Sequence, residues 1–159
     1  TISSILTGVA ALILLAVIPS AVQDTLDTGR VYLFSSQFLE ELPQRLTGPG
    51  RLRFLLQPLV AMVLGWRAGL SDARVARPPY VYGLLMGGVN RAALLRSGLA
   101  AIRDLVAIGV ILDAVSQILI YGQLHPGAAL VVGPVLISVP YVVARALTNR
   151  VSRLAHRRG

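Results

Sequence analysis

Apolar residues in this chain fall into long blocks, and the polar segments between them carry most of the charge. The first block, Ile2 to Val22 with Pro19 near its end, has the length that crosses a hydrocarbon core about 30 Å thick. The segment that follows is polar but holds a helical pattern of its own. Asp27 or Thr28 can cap it, Pro43 can stop it, and Val31, Phe34, Phe38 and Leu42 recur on one side while Ser36, Glu40 and Glu41 face away. This spacing predicts an amphipathic helix over about 28–42 lying in the membrane interface, with that seam turned to lipid or a partner and a turn at Gly48-Pro49-Gly50. A second span over about 53–70 reaches crossing length only if Arg53 and Arg67 snorkel from its ends; Pro58 sits inside it. Residues 71–79 read as a basic loop, and the apolar run from Tyr80 to Val89 is too short to cross. Over 91–104 Leu94, Leu95, Leu99 and Ile102 share one side and Arg96, Ser97 and Arg103 the other, which predicts a second interfacial helix. The third span is 105–121, the segment from Gly122 to Gly127 is a turn, and the fourth span, 128–147, contains Pro134 and Pro140. The expected fold is an all-α integral membrane domain over 1–159, with about four transmembrane helices and an amphipathic interfacial helix on each side.

Composition sharpens this picture. The chain has 159 residues, 55% hydrophobic and only 14% charged, with a mean hydropathy of +0.70, more apolar surface than a soluble domain of this size can hide. A pI near 11.3 raises the question of nucleic acid. The arginines, however, flank apolar blocks and are not interleaved with aromatics, so membrane topology explains them better. With the 67–104 segment and the C-terminal tail in the cytoplasm, their arginines face only Asp72 and Asp104. The outer arginines Arg30, Arg45, Arg51 and Arg53 are matched by Asp24, Asp27, Glu40 and Glu41. The expected location is a bacterial inner membrane with both termini cytoplasmic. Lysine is absent, so all 15 cations are arginine, a bias that resembles a GC-rich bacterial genome. Thr1 implies that a Met or short leader precedes it. The first block has neither a positive n-region nor an A-x-A site and reads as a retained helix.

Candidate chemistry is sparse. The absence of cysteine excludes disulfides and thiolate-bound metals, and His125 and His156 lie at opposite ends of the fourth span, unable to share a metal or haem. No nucleophile–base pair, phosphate loop or paired carboxylates appear, so neither catalysis nor a cofactor is expected. Asp113 is the one acid inside a clear span, with Ser116 and Gln117 on the same face and Tyr121 continuing the stripe. It is either a proton or cation relay or a polar knot joining helices. Arg67 is the obvious counter-charge but sits too near the inner end. If the hairpin of the third and fourth spans centres near residue 124, Ser138 becomes the expected partner of Asp113, and Asp104 and Arg145 an ion pair at the inner surface. The G-x-x-x-G patterns Gly65/Gly69 and Gly83/Gly87 permit close helix contact, and Trp66, Tyr80 and Tyr82 read as an interfacial aromatic belt.

The last third carries Asp113, then His125-Pro126-Gly127, Pro140-Tyr141 and Asn149-Arg150. In these features it resembles an uncharacterised family of small bacterial inner-membrane proteins with a C-terminal helical hairpin, although Ala128 stands where that family carries an acid. The resemblance implies a fold and a location and no activity. Two functions remain open: a non-catalytic accessory or scaffold subunit of a larger inner-membrane complex, such as a respiratory or photosynthetic one, and a small oligomeric proton or ion conductor using Asp113. Expected partners are membrane lipids and other membrane subunits, with no nucleic acid.

Overall fold

The computed structural model of the chain describes residues 2–29, 36–48, 51–86 and 91–156. These form six helices, α1 (Ile2–Thr28), α2 (Ser36–Thr47), α3 (Arg53–Arg74), α4 (Tyr80–Met86), α5 (Arg91–Tyr121) and α6 (Pro126–His156), and the described residues contain no strand. Four of them, α1, α3, α5 and α6, are long and apolar enough to cross a membrane.

Helix boundaries follow local chemistry. Gly29 and Gly122 take left-handed backbone, φ 66° and 67°, and their N–H groups bond back to Thr25 and Ile118 carbonyls at 2.9 Å, closing α1 and α5. At the end of α3 the same position is filled by Ala76, φ 54°. Arg77 N–H reaches the Asp72 carbonyl (3.0 Å) and Ala76 N–H that of Ala73 (3.1 Å), a Schellman closure that outweighs the left-handed strain on an alanine, about 1–2 kcal/mol. Pro126 opens α6, where its missing N–H costs nothing.

Several expected boundaries move. α1 continues through Thr28, so neither Asp27 nor Thr28 caps the next helix; Val31 and Phe34 lie outside the described residues. α2 runs through Pro43 to Thr47, the Thr47 hydroxyl donating to the Pro43 carbonyl at 3.0 Å. Phe38 is half-buried there, while the side chain of Leu42 lies outside the description. α3 extends to Arg74, into the expected loop. The helix expected over 91–104 is the first half of α5, because no proline interrupts the chain between Pro79 and Pro126.

The chain divides into two compact units, one of residues 1–56 and 104–135, the other of 57–103 and 136–159. In the first, Leu6, Ala10 and Leu14 of α1 recur every fourth residue and pack against Ala107, Val110, Ile111 and Ala129. α5 and α6 meet there closely enough that a Cβ on Gly133 would come within 3.0 Å of the Gly109 carbonyl carbon. In the second, α3 crosses α6 through the first G-x-x-x-G: a Cβ on Gly65 would lie 2.4 Å from the Tyr141 carbonyl oxygen, and one on Gly69 2.5 Å from that of Arg145.

Burial along α3 is inverted relative to a water-soluble helix. Its buried residues are Arg53, Gln57, Ala61, Gly65, Gly69 and Asp72, a stripe of polar and small side chains, while Leu55, Leu56, Leu59, Val60, Met62, Val63 and Trp66 are exposed.

Candidate functional site

Each unit encloses one charged cluster. In the first, Asp113 is fully buried on α5 and its Oδ1 accepts from Nη2 of Arg53, itself only 6% exposed at the start of α3. The other oxygen, Oδ2, accepts from Gln117 Nε2 at 2.6 Å, one helical turn along α5. The Gln117 amide also grips the turn before α6: its Oε1 accepts from the His125 backbone N–H at 2.8 Å, and Nε2 reaches the His125 carbonyl at 3.4 Å. Ser116 is buried on the same face. Tyr121, at the end of the stripe, donates its hydroxyl to the Glu41 carbonyl of α2 at 3.0 Å. The arrangement is a knot: one carboxylate, one guanidinium and one amide pin the start of α3 and the α5–α6 turn to the last third of α5.

Two sequence expectations are corrected here. The counter-charge of Asp113 is Arg53, neither the expected hydrogen-bond donor Ser138 nor Arg67. For Ser138 the reason is register. Gly109 with Gly133, and Gln117 with His125, are each equidistant from residue 121, so the hairpin centres there and not near 124. Asp113 then stands level with Ala129, which offers no polar group.

In the second unit Arg145 of α6, only 3% exposed, makes a two-pronged pair with buried Asp72 of α3: Nε to Oδ2 at 2.7 Å and Nη2 to Oδ1 at 3.2 Å. Its carboxylate partner is therefore Asp72, where Asp104 was expected; Asp104 accepts instead from the Ser3 hydroxyl in the first unit. Arg145 Nη1 donates to the Tyr141 hydroxyl at 3.0 Å and reaches Ser97 Oγ at 3.5 Å. The guanidinium carbon lies 4.1 Å from the ring centre of Tyr80, and Tyr80 meets Tyr141 edge-on at 6.4 Å. Burial pushes the Tyr80 hydroxyl up from its ordinary pKa, with Arg145 pulling the other way, so it stays a neutral donor to the Leu94 carbonyl at 3.2 Å. Arg77 approaches Asp72 at 3.7 Å from an exposed position and adds little. Fully buried Asn149 donates to the Arg77 carbonyl at 3.3 Å.

The buried carboxylate of each cluster meets a buried guanidinium of this chain. Among the described residues no group of three or more His, Asp or Glu could hold a metal. Sequence reasoning missed Arg53, Gln57 and Asp72. The signal that marks them is the stripe Arg53, Gln57, Ala61, Gly65, Gly69, Asp72, which repeats at three- and four-residue steps. No family model, curated protein or solved structure matches the chain.

Proposed function

We propose that this chain is a multi-pass protein of the bacterial inner membrane, with both termini cytoplasmic, serving as a non-catalytic accessory or scaffold subunit of a larger complex; an energy-converting assembly is one candidate. One observation carries the reading: Arg53, Asp72, Asp113 and Arg145 are buried together with small residues, while many large apolar residues of the four long helices are turned outward. Water would make that arrangement unstable, and a bilayer or neighbouring apolar helices would satisfy it. α1 is the extreme case. Only 6% of its most apolar stretch is buried, and Ile5, Leu12, Leu15 and Leu26 are more than 60% exposed. Its seam of Leu6, Ala10 and Leu14 packs on its own chain, and its large exposed apolar residues are left for lipid or another subunit. The likeness of the C-terminal hairpin to small inner-membrane proteins agrees with the location.

Asp113 also bears on the choice between scaffold and conductor. Both carboxylate oxygens of Asp113 are engaged within the chain, Oδ1 by the Arg53 guanidinium and Oδ2 by the Gln117 amide, so the group joins α3 to α5. That supports a structural role. The test is flux: purified chain reconstituted into vesicles should carry no more protons or monovalent cations than empty vesicles. Flux above that background would overturn the scaffold reading in favour of conduction.

A further inference from the structure

We infer that the second unit carries a binding site for one anionic phospholipid, in the groove between α4 and α6. The inference rests on the membrane reading above but concerns a site which that reading does not require.

The groove has a volume of about 590 Å³, within the range of about 300–1,000 Å³ usual for ligand sites. α4 supplies one wall with Val81, Tyr82 and Leu85 after Pro79, and α6 the other with Ala146 and Leu147. At its end lies Arg150, which with Arg153, Leu154 and Pro79 forms an adjoining smaller hollow. An apolar trough ending in two cations one turn apart is the shape of an acyl chain joined to a phosphate. Free phosphate would leave the trough unused, and a neutral lipid would leave the arginines unused.

The walls are held before any ligand arrives. Asn149 Nδ2 and Arg153 Nη1 both donate to the Arg77 carbonyl at 3.3 Å, fixing the chain just ahead of Pro78-Pro79 against α6. Arg91 donates to the Leu85 carbonyl at 2.7 Å and Tyr80 to that of Leu94, so α4 is tied at both ends. Tyr80 and Gly83 turn inward and the apolar residues face the groove. A rigid groove loses less entropy on binding than one that must form.

Charge favours an anion. The chain has no acidic residue after Asp113, and the one carboxylate near this end of α6, Asp72, is taken by Arg145. Arg153 keeps part of its guanidinium unused, and Arg150 makes no hydrogen bond or ion pair among the described residues. Tyr82, 60% exposed on the rim, sits where an aromatic lies beside a headgroup.

The test uses the full chain extracted in mild detergent and loaded from phosphatidylcholine–phosphatidylglycerol bilayers, with retained lipid counted by native mass spectrometry. Wild-type protein should retain phosphatidylglycerol over phosphatidylcholine, and inorganic phosphate should not displace it. Arg150→Gln with Arg153→Gln should lower that preference roughly thirtyfold, the loss expected for two interfacial cations. Ala146→Trp, which fills the trough and leaves the charges, should lower retention as well. The control pair Arg74→Gln with Arg96→Gln, outside the groove, should not. The inference is overturned if wild type shows no preference, if phosphate displaces the lipid, or if the control pair loses as much as the groove pair. Resistance to alkaline carbonate extraction separates the two failures. A resistant chain with no lipid preference overturns only this site; a wild-type chain released by carbonate overturns the membrane reading too.

Discussion

Asp113→Ala should lower stability by about 3–5 kcal/mol, the scale for removing one partner of a buried ion pair. The loss comes mainly from what remains. Arg53 is 6% exposed, and the substitution removes the carboxylate that its Nη2 meets in that nearly dry site. Gln117 loses the acceptor of its Nε2 donor at the same time, which loosens its grip on the His125 turn. Asp113→Asn should fall between wild type and Asp113→Ala, since it keeps a bond to Gln117 but not the charge opposite Arg53. Replacing both partners, Arg53→Met with Asp113→Leu, should recover most of the loss, because two apolar groups leave no uncompensated charge. Thermal unfolding in mild detergent reads all four proteins. An Asp113→Ala protein that melts with wild type would show that the pair contributes nothing.

Asp72→Ala should be comparably damaging, again about 3–5 kcal/mol, and Arg145→Lys should cost a substantial part of that. Arg145 uses its planar fork on both oxygens of Asp72, its Nη1 on Tyr141 and its face on Tyr80. A lysine offers one point of charge and no plane, so it can keep one contact and must abandon the rest. Exposed Arg77 can follow a buried Asp72 that has lost Arg145, so Arg145→Ala should be rescued in part by Arg77. Adding Arg77→Ala to Arg145→Ala should then cost more than Arg77→Ala alone. Additive losses would mean that Arg77 does not substitute.

How much of this was legible beforehand depended on the kind of signal. Four long apolar helices were readable because block length and composition decide them without knowledge of partners. The polar stripe Asp113, Ser116, Gln117 was readable for the same reason, since helical spacing alone puts the three on one face. Partner choice was not, because it depends on register. A three-residue difference in the hairpin centre takes Ser138 away from the level of Asp113, and the meeting with Arg53 is set by the packing of α3, which hairpin spacing does not report. Arg53 and Asp72 were further hidden because charges near the ends of an apolar block usually snorkel to water. For Asp72, what reverses that expectation is the pair Gly65 and Gly69, which let α6 approach α3 closely within the second unit. The break between interfacial and spanning parts of α5 was expected from amphipathicity, yet a change of surroundings along a helix requires no change of backbone.

The scaffold proposal is tested most directly by the mass at which the native protein travels. Extracted from its own membrane in a mild detergent and resolved by native electrophoresis, the chain should migrate in one band well above its own 16.9 kDa plus detergent. Other membrane subunits should be present in that band in fixed ratio to it, and the ratio should survive dilution. A chain that travels alone, or only with copies of itself, would contradict the proposal.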